Sequence, residues 1–490
     1  MAGKEGIEPV RFGTDGWRAI IAREFTFDNV GRAASAIGAY LHSEDRPANP
    51  IYNDWGATYQ PAERGVVVGY DTRFLSMEFA EHVARVLADG GTPAVLADRF
   101  VPTPALSFSV VDRRAAMGVM LTSSHNPPEY SGLKIKAAYG GSAPKAVTDE
   151  IEARLPDSPP AASTSLDVIE RVDLITPYMA RIRSLIEPER LTACPVHVVI
   201  DSMFGSAQGL VAQLLGECGV SHTEIRGTRD VLFGGVKPEP LEVNLAPLRE
   251  TIQALRGKHE RMIGVVTDGD GDRVSAMDES GVFIDAHRTY ALLLRYLVEE
   301  RGWTGPIVVS FNLSDMVRRM ADAYGLEIIE IPIGFRYAAE HIIRRDILIA
   351  GEESGSLAIR GHIPERDGVL CSLLLAELVT STGTSPGALI ADLQERFGPQ
   401  VYRRRDIEIE TRVEVVESLL ASPPDRFADR SVRSVETLDG IKFRFADGWL
   451  LFRASGTEPI LRMYCEMQSE ADVSSVLENA EFYARGVHRR

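Results

Sequence analysis

The sequence predicts an α/β protein of three related domains followed by a smaller C-terminal α+β domain, and three observations carry that expectation. First, three segments open alike, with a β-branched apolar run, a polar or glycine-bearing turn and then a helical pattern: Val66-Val67-Val68-Gly69-Tyr70-Asp71, Val196-His197-Val198-Val199-Ile200-Asp201 and Ile307-Val308-Val309-Ser310-Phe311-Asn312. Each reads as a buried strand feeding a helix, the unit of an α/β layer. Second, the opening recurs at intervals of about 110 to 130 residues, as a repeated domain would. Third, the pattern changes near residue 401, where Asp406-Ile407-Glu408-Ile409-Glu410 and Ile441-Lys442-Phe443-Arg444-Phe445 alternate like half-exposed strands ahead of a helical pattern from Val473 to Ala484.

Taking the chain in order, the run Pro156-Asp157-Ser158-Pro159-Pro160 and the Ala/Ser/Thr residues after it read as an exposed linker near the end of the first domain. The expected domains are 1–170, 171–286, 287–400 and 401–490. A chain of 490 residues has room for four at roughly 100 to 200 residues each. Its net charge of −17 argues against nucleic acid or an anionic membrane surface as partner, because both reward a basic face. An anionic substrate therefore needs locally gathered Arg and Lys. The four cysteines, Cys194, Cys218, Cys371 and Cys465, are scattered without metal-ligand spacing, which fits a reducing cytosol. The first residues lack the apolar core of a signal peptide, and no apolar run approaches the roughly 20 residues of a membrane span. Nothing in the residues fixes an oligomeric state.

Ser124 stands in Thr122-Ser123-Ser124-His125-Asn126-Pro127-Pro128, after the strand-like run Met117-Gly118-Val119-Met120-Leu121. The paired prolines stiffen the turn and bias Asn126 to an extended backbone, a posture expected to expose the Ser124 hydroxyl. A serine hydrolase is one reading of the Ser-His pair. Against it, neighbours in an extended turn are expected to point apart, and no G-x-S-x-G elbow exists. Lys134, ten residues on, is placed to return to the same turn as a proton-transfer or phosphate-binding group, or else to lie on the surface.

The loop Asp268-Gly269-Asp270-Gly271-Asp272-Arg273 follows another strand-like run, Met262-Ile263-Gly264-Val265-Val266. Its glycines let the backbone curl so that the three carboxylates converge, and carboxylates that close repel unless a cation sits among them. Hard oxygen ligands favour Mg²⁺, Mn²⁺ or Ca²⁺ over zinc. An EF-hand is the rival, but Arg273 stands where its sharp turn needs Gly, and the preceding segment is strand-like. With only three protein carboxylates, waters and a phosphate oxygen would complete an Mg²⁺ octahedron, and Arg273 would steady a transferring group. Farther on, Arg453-Ala454-Ser455-Gly456-Thr457-Glu458-Pro459 gathers a guanidinium, hydroxyls and freely oriented amides into an anion cradle, with Arg462 joining; a polar hairpin loop is the plain alternative. Gly351-Glu352-Glu353-Ser354-Gly355-Ser356 offers acceptors for sugar hydroxyls, or a helix cap.

In chain order these segments, together with Phe12-Gly13-Thr14-Asp15-Gly16-Trp17-Arg18, resemble the α-D-phosphohexomutase superfamily of phosphoglucomutases, phosphomannomutases and phosphoglucosamine mutases. The resemblance covers nearly the whole chain. It implies mixed-sheet domains around a central cleft, a phosphoserine at Ser124, and one Mg²⁺ per chain on Ser124, Asp268, Asp270 and Asp272. It further implies that Arg18, His125 and Lys134 surround the phosphoryl group, with Lys134 as general base. Glu352 and Ser354 would grip sugar hydroxyls, Arg336 a hydroxyl or phosphate oxygen, and Arg453, Ser455, Gly456 and Thr457 the phosphate that stays.

The implied reaction interconverts hexose 1-phosphate and hexose 6-phosphate, with glucose 1,6-bisphosphate as activator and a mobile fourth domain. Glu353 stands where glucosamine-specific members tend to carry Gln, and Ser356 where dual glucose/mannose enzymes tend to carry His. The segment Gly361-His362-Ile363-Pro364-Glu365-Arg366-Asp367-Gly368 is of the glucose type, so glucose is expected and mannose is the alternative. A non-catalytic sugar-phosphate binding protein is the reading from another class, set against catalytic positions that are all present.

Overall fold

Val, Ile and other apolar residues in the predicted runs form strands buried on both faces, as the interior of an α/β layer requires. The structure, a computed structural model, describes residues 10–13, 15–46, 49–54, 56–160, 169–456 and 459–488. Its first sheet contains β1 (Trp17–Ile20), β2 (Val66–Tyr70), β3 (Ala94–Ala97), β4 (Met117–Leu121), β5 (Tyr130–Ala137) and β6 (Glu170–Val172), in the order β1-β5-β4-β2-β3-β6. Strand β2 runs parallel to β3 and β4, whereas β5 returns antiparallel to β4 and pairs with β1.

The second sheet repeats this plan with β7 (His197–Asp201), β8 (Ser221–Ile225), β9 (Met262–Thr267), β10 (Val274–Met277) and β11 (Phe283–Ile284), in the order β11-β10-β9-β7-β8. Here β7 is parallel to β8 and β9, and β10 returns antiparallel to β9. Strands β12 (Ile307–Ser310) and β13 (Ile328–Ile331) form a parallel pair, and β14 (Ile349–Gly351) and β15 (Leu357–Ile359) an antiparallel one.

By compactness the chain divides into two units, residues 1–304 with 334–387, and residues 305–333 with 388–490. In the first, the helix Gly368–Thr382 is mostly apolar and buried on every side from Gly368 to Thr380, which is why its sequence shows no amphipathic stripe. Asp367 caps it by accepting from the Leu370 N–H (2.9 Å), and Gly383 ends it at φ 62°. Each leucine it buries stabilises the fold by about 1.5–3 kcal/mol. Cys371 lies in this helix and is fully buried. Among the described residues no single helix is long and apolar enough to cross a membrane.

The second unit carries β16 (Val401–Glu408), the short pair β17 (Arg426–Phe427) and β18 (Arg430–Ser431), then β19 (Ser434–Glu436), β20 (Ile441–Arg444), β21 (Trp449–Ala454) and β22 (Ile460–Met467). The main sheet is antiparallel, in the order β16-β22-β21-β20-β19. One face packs Ile441, Phe443, Leu450 and Phe452 against Val473, Val476 and Leu477 of the helix Glu470–His488. The other face is covered too, with Trp449, Leu451 and Tyr464 meeting Phe311. The half-exposed reading of Ile441 to Phe445 is therefore corrected: Lys442 is buried, because its side of the sheet is not the solvent side.

Candidate active site

The repeated sheet plan explains how the chemistry-bearing loops come to equivalent places. Ser124 lies on the loop from β4 to β5, the three aspartates on the loop from β9 to β10, and Glu352 to Ser356 on the loop from β14 to β15. Each loop leaves the carboxyl end of a strand and returns on an antiparallel neighbour. Carboxyl ends of strands are where α/β sheets gather their ligand-binding loops.

Ser124 departs from the posture expected of it. It is buried, at 1% exposure, and its backbone sits in the left-handed region at φ 50°. That conformation costs a non-glycine residue about 1–2 kcal/mol. Arg73 offsets the strain. Its Nη2 donates to the carbonyls of Ser124 (2.6 Å) and Asn126 (2.7 Å), and its Nη1 to those of Pro127 (2.8 Å) and Tyr130 (3.0 Å). Asp71 fixes Arg73 through Nε (3.1 Å) and also accepts from Thr122 Oγ1 (2.6 Å), which in turn accepts from the Ser124 N–H (2.9 Å). The left-handed backbone also corrects the expectation that Ser124 and His125 point apart, since Ser124 Oγ lies 3.2 Å from His125 Nδ1.

The two loops interlock. Gly269 can only be glycine, because a Cβ there would lie 2.6 Å from the Ser124 carbonyl oxygen. Gly271, at φ 70°, turns the chain so that the N–H groups of Asp272 (3.0 Å) and Arg273 (3.1 Å) donate to Asp268 Oδ1. Ser124 Oγ donates to Asp268 Oδ2 at 2.8 Å. The ligand oxygens of Asp268, Asp270 and Asp272 lie within 4.8 Å of one another. Asp270 Oδ1 and Asp272 Oδ1 are buried without a hydrogen-bond partner. Buried carboxylate oxygens left over in an all-oxygen set fit a small hard cation such as Mg²⁺. Burial, reinforced by the charges of Asp270 and Asp272, holds the Asp268 carboxyl well above the usual range, the mark of a cluster short of positive charge.

Lys134 is fully enclosed. Its Nζ donates to Asp270 Oδ2 (2.8 Å) and Asp272 Oδ2 (2.9 Å), and lies 2.9 Å from Asp15 Oδ2. Burial alone would lower its pKa, but these three carboxylates override that and raise it, so the group is a firm ammonium. Arg18 Nη1 donates to Asn126 Oδ1 (2.8 Å), and Arg273 Nη1 lies 3.6 Å from Glu239. His125 is kept neutral by burial first, then by Arg273, Arg18, Lys134 and Arg73 around it. The structure thus brings together Ser124, His125, Lys134, Arg18, Arg273 and the three aspartates.

In the loop after β14, Glu352 is buried and accepts from the Gly334 N–H (2.6 Å), while Ser354 Oγ lies 2.9 Å from Ser356 Oγ. This loop joins two strands, so it is no helix cap; Val274 N–H donates to the Gly355 carbonyl and ties it to the aspartate loop. Arg336 donates to the Gly13 carbonyl (2.8 Å), which attaches it to the N-terminal motif. In the second unit, Arg453 and Arg462 face each other directly across β21 and β22, with Asp406 4.0 Å from Arg462 Nε. Arg453 Nε donates to Asp439 (3.0 Å), and the Ser455 carbonyl accepts from Arg412 (2.9 Å). Gly456 has open space around it, and Thr457 lies outside the described residues.

Sequence reasoning assigned no part to Asp15, Arg73, Thr103, Glu239 or Arg366. Asp15 and Arg366 belonged to quoted motifs, and for Asp15 the clue was that a charged residue between glycines and apolar residues needs a partner. Their contacts are remote: Arg366 Nη2 donates to Asp15 Oδ2 (2.5 Å), 351 positions away, and to Asp272 Oδ2 (2.6 Å).

A serine hydroxyl against a three-carboxylate loop, ringed by Lys, Arg and a neutral His, defines the class as a phosphate-handling enzyme site. Sequence comparison agrees along the chain. Residues 9–160, 176–281 and 285–397 match the phosphoglucomutase/phosphomannomutase α/β/α domains I, II and III, and residues 410–481 match the C-terminal domain of that family. A Thermococcus kodakarensis phosphoglucomutase/phosphomannomutase is 29% identical over 470 residues, 95% of this chain and 96% of the relative. A Methanocaldococcus jannaschii phosphoglucosamine mutase is 30% identical over 84% of this chain and 90% of its own. The solved structure of a Thermus thermophilus protein assigned as a phosphomannomutase superposes with a TM-score of 0.83 at 34% identity, covering 97% of this chain and 99% of that one. The chain belongs to the phosphoglucomutase/phosphomannomutase family of the α-D-phosphohexomutase superfamily, and it is a mutase of the isomerase class.

Proposed function

We propose that the protein interconverts glucose 1-phosphate and glucose 6-phosphate through a phosphate carried on Ser124. The observation that carries this reading is the 2.8 Å contact of Ser124 Oγ with Asp268, beside two buried carboxylate oxygens that lack partners. Ser124, Asp268, Asp270 and Asp272 would hold Mg²⁺, which supplies positive charge against the combined negative charge of phosphoserine and sugar phosphate.

The chain's own residues divide the proton work. When Ser124 takes a phosphoryl group, its hydroxyl proton passes to His125 Nδ1, 3.2 Å away, because Asp268 Oδ2 is the oxygen that would face the metal. Lys134, as an ammonium, gives a proton to the departing sugar oxygen and takes one back in the reverse transfer, so the base expected from the sequence enters first as an acid. Arg18 and Arg273 balance charge on the phosphoryl oxygens. Glu352 and Ser354 hold sugar hydroxyls, Arg336, fastened to the N-terminal motif through Gly13, reaches a hydroxyl or phosphate oxygen, and Arg453, Ser455, Gly456, Thr457 and Arg462 hold the phosphate that is not transferred. A hexose 1,6-bisphosphate then turns end for end before returning its other phosphate.

Relatives named for mannose and glucosamine phosphates set the competing substrates. Glucose, mannose and glucosamine 1-phosphates competed in one assay, with Mg²⁺ and a trace of glucose 1,6-bisphosphate, should show glucose with the highest kcat/KM. Ser124→Ala should abolish turnover; undiminished activity in that variant would sink the phosphoserine route. Absence of activity on every hexose phosphate would favour a binding protein.

A further inference from the structure

We propose that Arg366 and Thr103 are positioning residues that select the metal ion: beside Lys134 they occupy the second oxygen of Asp272 and of Asp270, as backbone N–H groups do for Asp268, so that each carboxylate of the aspartate loop has a single oxygen to offer. The inference rests on the reading above that this loop holds a divalent cation. It follows from accounting for all six carboxylate oxygens. Asp268 Oδ1 accepts the N–H groups of Asp272 and Arg273, which leaves Oδ2 facing Ser124 Oγ. Asp270 Oδ2 accepts from Thr103 Oγ1 (2.6 Å) and Lys134 Nζ (2.8 Å), which leaves Oδ1. Asp272 Oδ2 accepts from Lys134 Nζ (2.9 Å) and Arg366 Nη2 (2.6 Å), which again leaves Oδ1.

Three single oxygens suit an ion that demands a tight octahedron and keeps waters for the remaining positions. A larger ion seeks six to eight oxygens and gains by gripping a carboxylate through both. Capping the second oxygen therefore acts against Ca²⁺ more than against Mg²⁺. The caps are rigid as well as charged. Arg366 is buried at 6% exposure, and its Nη2 is anchored on Asp15 Oδ2 (2.5 Å). Its backbone N–H donates to Glu365 Oε1 (3.1 Å), and Glu365 Oε2 accepts from Lys136 Nζ (2.5 Å). The Arg366 guanidinium also lies over the Phe335 ring at 5.6 Å. Thr103 is fully buried, and its N–H donates to the Asp270 carbonyl (2.8 Å), so hydroxyl and backbone hold the same aspartate.

The test is titration calorimetry of Mg²⁺ and of Ca²⁺ into the metal-stripped full chain, for wild type, Arg366→Met and Thr103→Val. The Mg²⁺-to-Ca²⁺ affinity ratio is expected to fall about tenfold in Arg366→Met, and by a smaller factor in the same direction in Thr103→Val. Loss of a buried cation alone would tighten both ions equally, so an unchanged ratio in every variant that folds overturns the inference. Thr103→Val removes one hydroxyl and keeps the side-chain shape, so it decides the matter if Arg366→Met does not fold. A wild-type chain that binds neither ion overturns the metal reading and this inference with it. Binding with an unchanged ratio overturns the inference alone.

Discussion

Lys134 and Lys442 are buried to the same depth, at 1% and 0% exposure, yet their pKa values move in opposite directions. Lys134 lies among Asp15, Asp270 and Asp272 and is raised. Lys442 is lowered to about 7, by burial first and then by the charges of Arg444 and Arg318. Its ammonium donates to the Phe311 carbonyl and lies 4.1 Å from the Phe311 ring centroid and 4.8 Å from that of Trp449, with Glu330 no nearer than 3.8 Å. Removal from water penalises both charges alike. Carboxylates in contact decide the outcome, and aromatic faces with one carbonyl do not replace them. Buried charge at the serine is thus held in place, whereas buried charge in the second unit is held at the edge of neutrality.

Lys134→Met is the strongest way to break this contrast. It should remove about 3–5 kcal/mol of stability by leaving carboxylates uncompensated. It should also lower kcat by about 10²–10⁴, read by a coupled mutase assay beside a denaturant melt. A melt unchanged from wild type would show that the carboxylates are neutral and the comparison false.

Lys442→Met should act in the opposite sense, raising stability at pH 6 by about 1–3 kcal/mol, because a buried charge whose nearest carboxylate, Glu330, stands 3.8 Å away is exchanged for an apolar chain. The folded pKa of Lys442 lies below its unfolded value, so its burden is full below pH 7 and is relieved as pH rises. Wild-type melts should therefore strengthen above pH 7, and the variant should lose that rise.

Glu466 supplies the mirror image. Burial, with Asp315 next, raises it to about 7, so its contribution is present at low pH and is lost as pH climbs through 7. Glu466→Gln should flatten this decline, by about 1–2 kcal/mol between pH 5 and 7, in melts followed by circular dichroism. The smallest effect belongs to the half-exposed pair of Arg453 and Asp439. Asp439→Asn keeps an acceptor for the Ile333 N–H but loosens the guanidinium, and should lower KM for hexose phosphate by about threefold in initial-rate assays.

What could be read from the residues follows the range of the forces involved. The β-branched runs, the glycines of the aspartate loop and the prolines after Ser124 act within a few positions, and strands and turns formed where those patterns lay. The left-handed backbone of Ser124 was out of reach because Arg73, 51 positions away, holds it. Alternation in Ile441 to Phe445 misled for a related reason: a period of two reveals that two faces differ, not that one is wet. Phe311 covers the second face from a distant part of the sequence. The positions of Asp15 and Arg366 follow from contacts that only the folded chain creates.

The Arg73 clamp has a bearing on movement. Four carbonyls of the turn from Ser124 to Tyr130 are fastened to one guanidinium, itself pinned by Asp71, so the serine oxygen is a stationary post. On the route proposed above, a phosphate must leave that post and a different one must return to it from the other end of the sugar. The serine turn itself then contributes no motion, and the travel belongs to the bisphosphate and to the groups that hold its far phosphate.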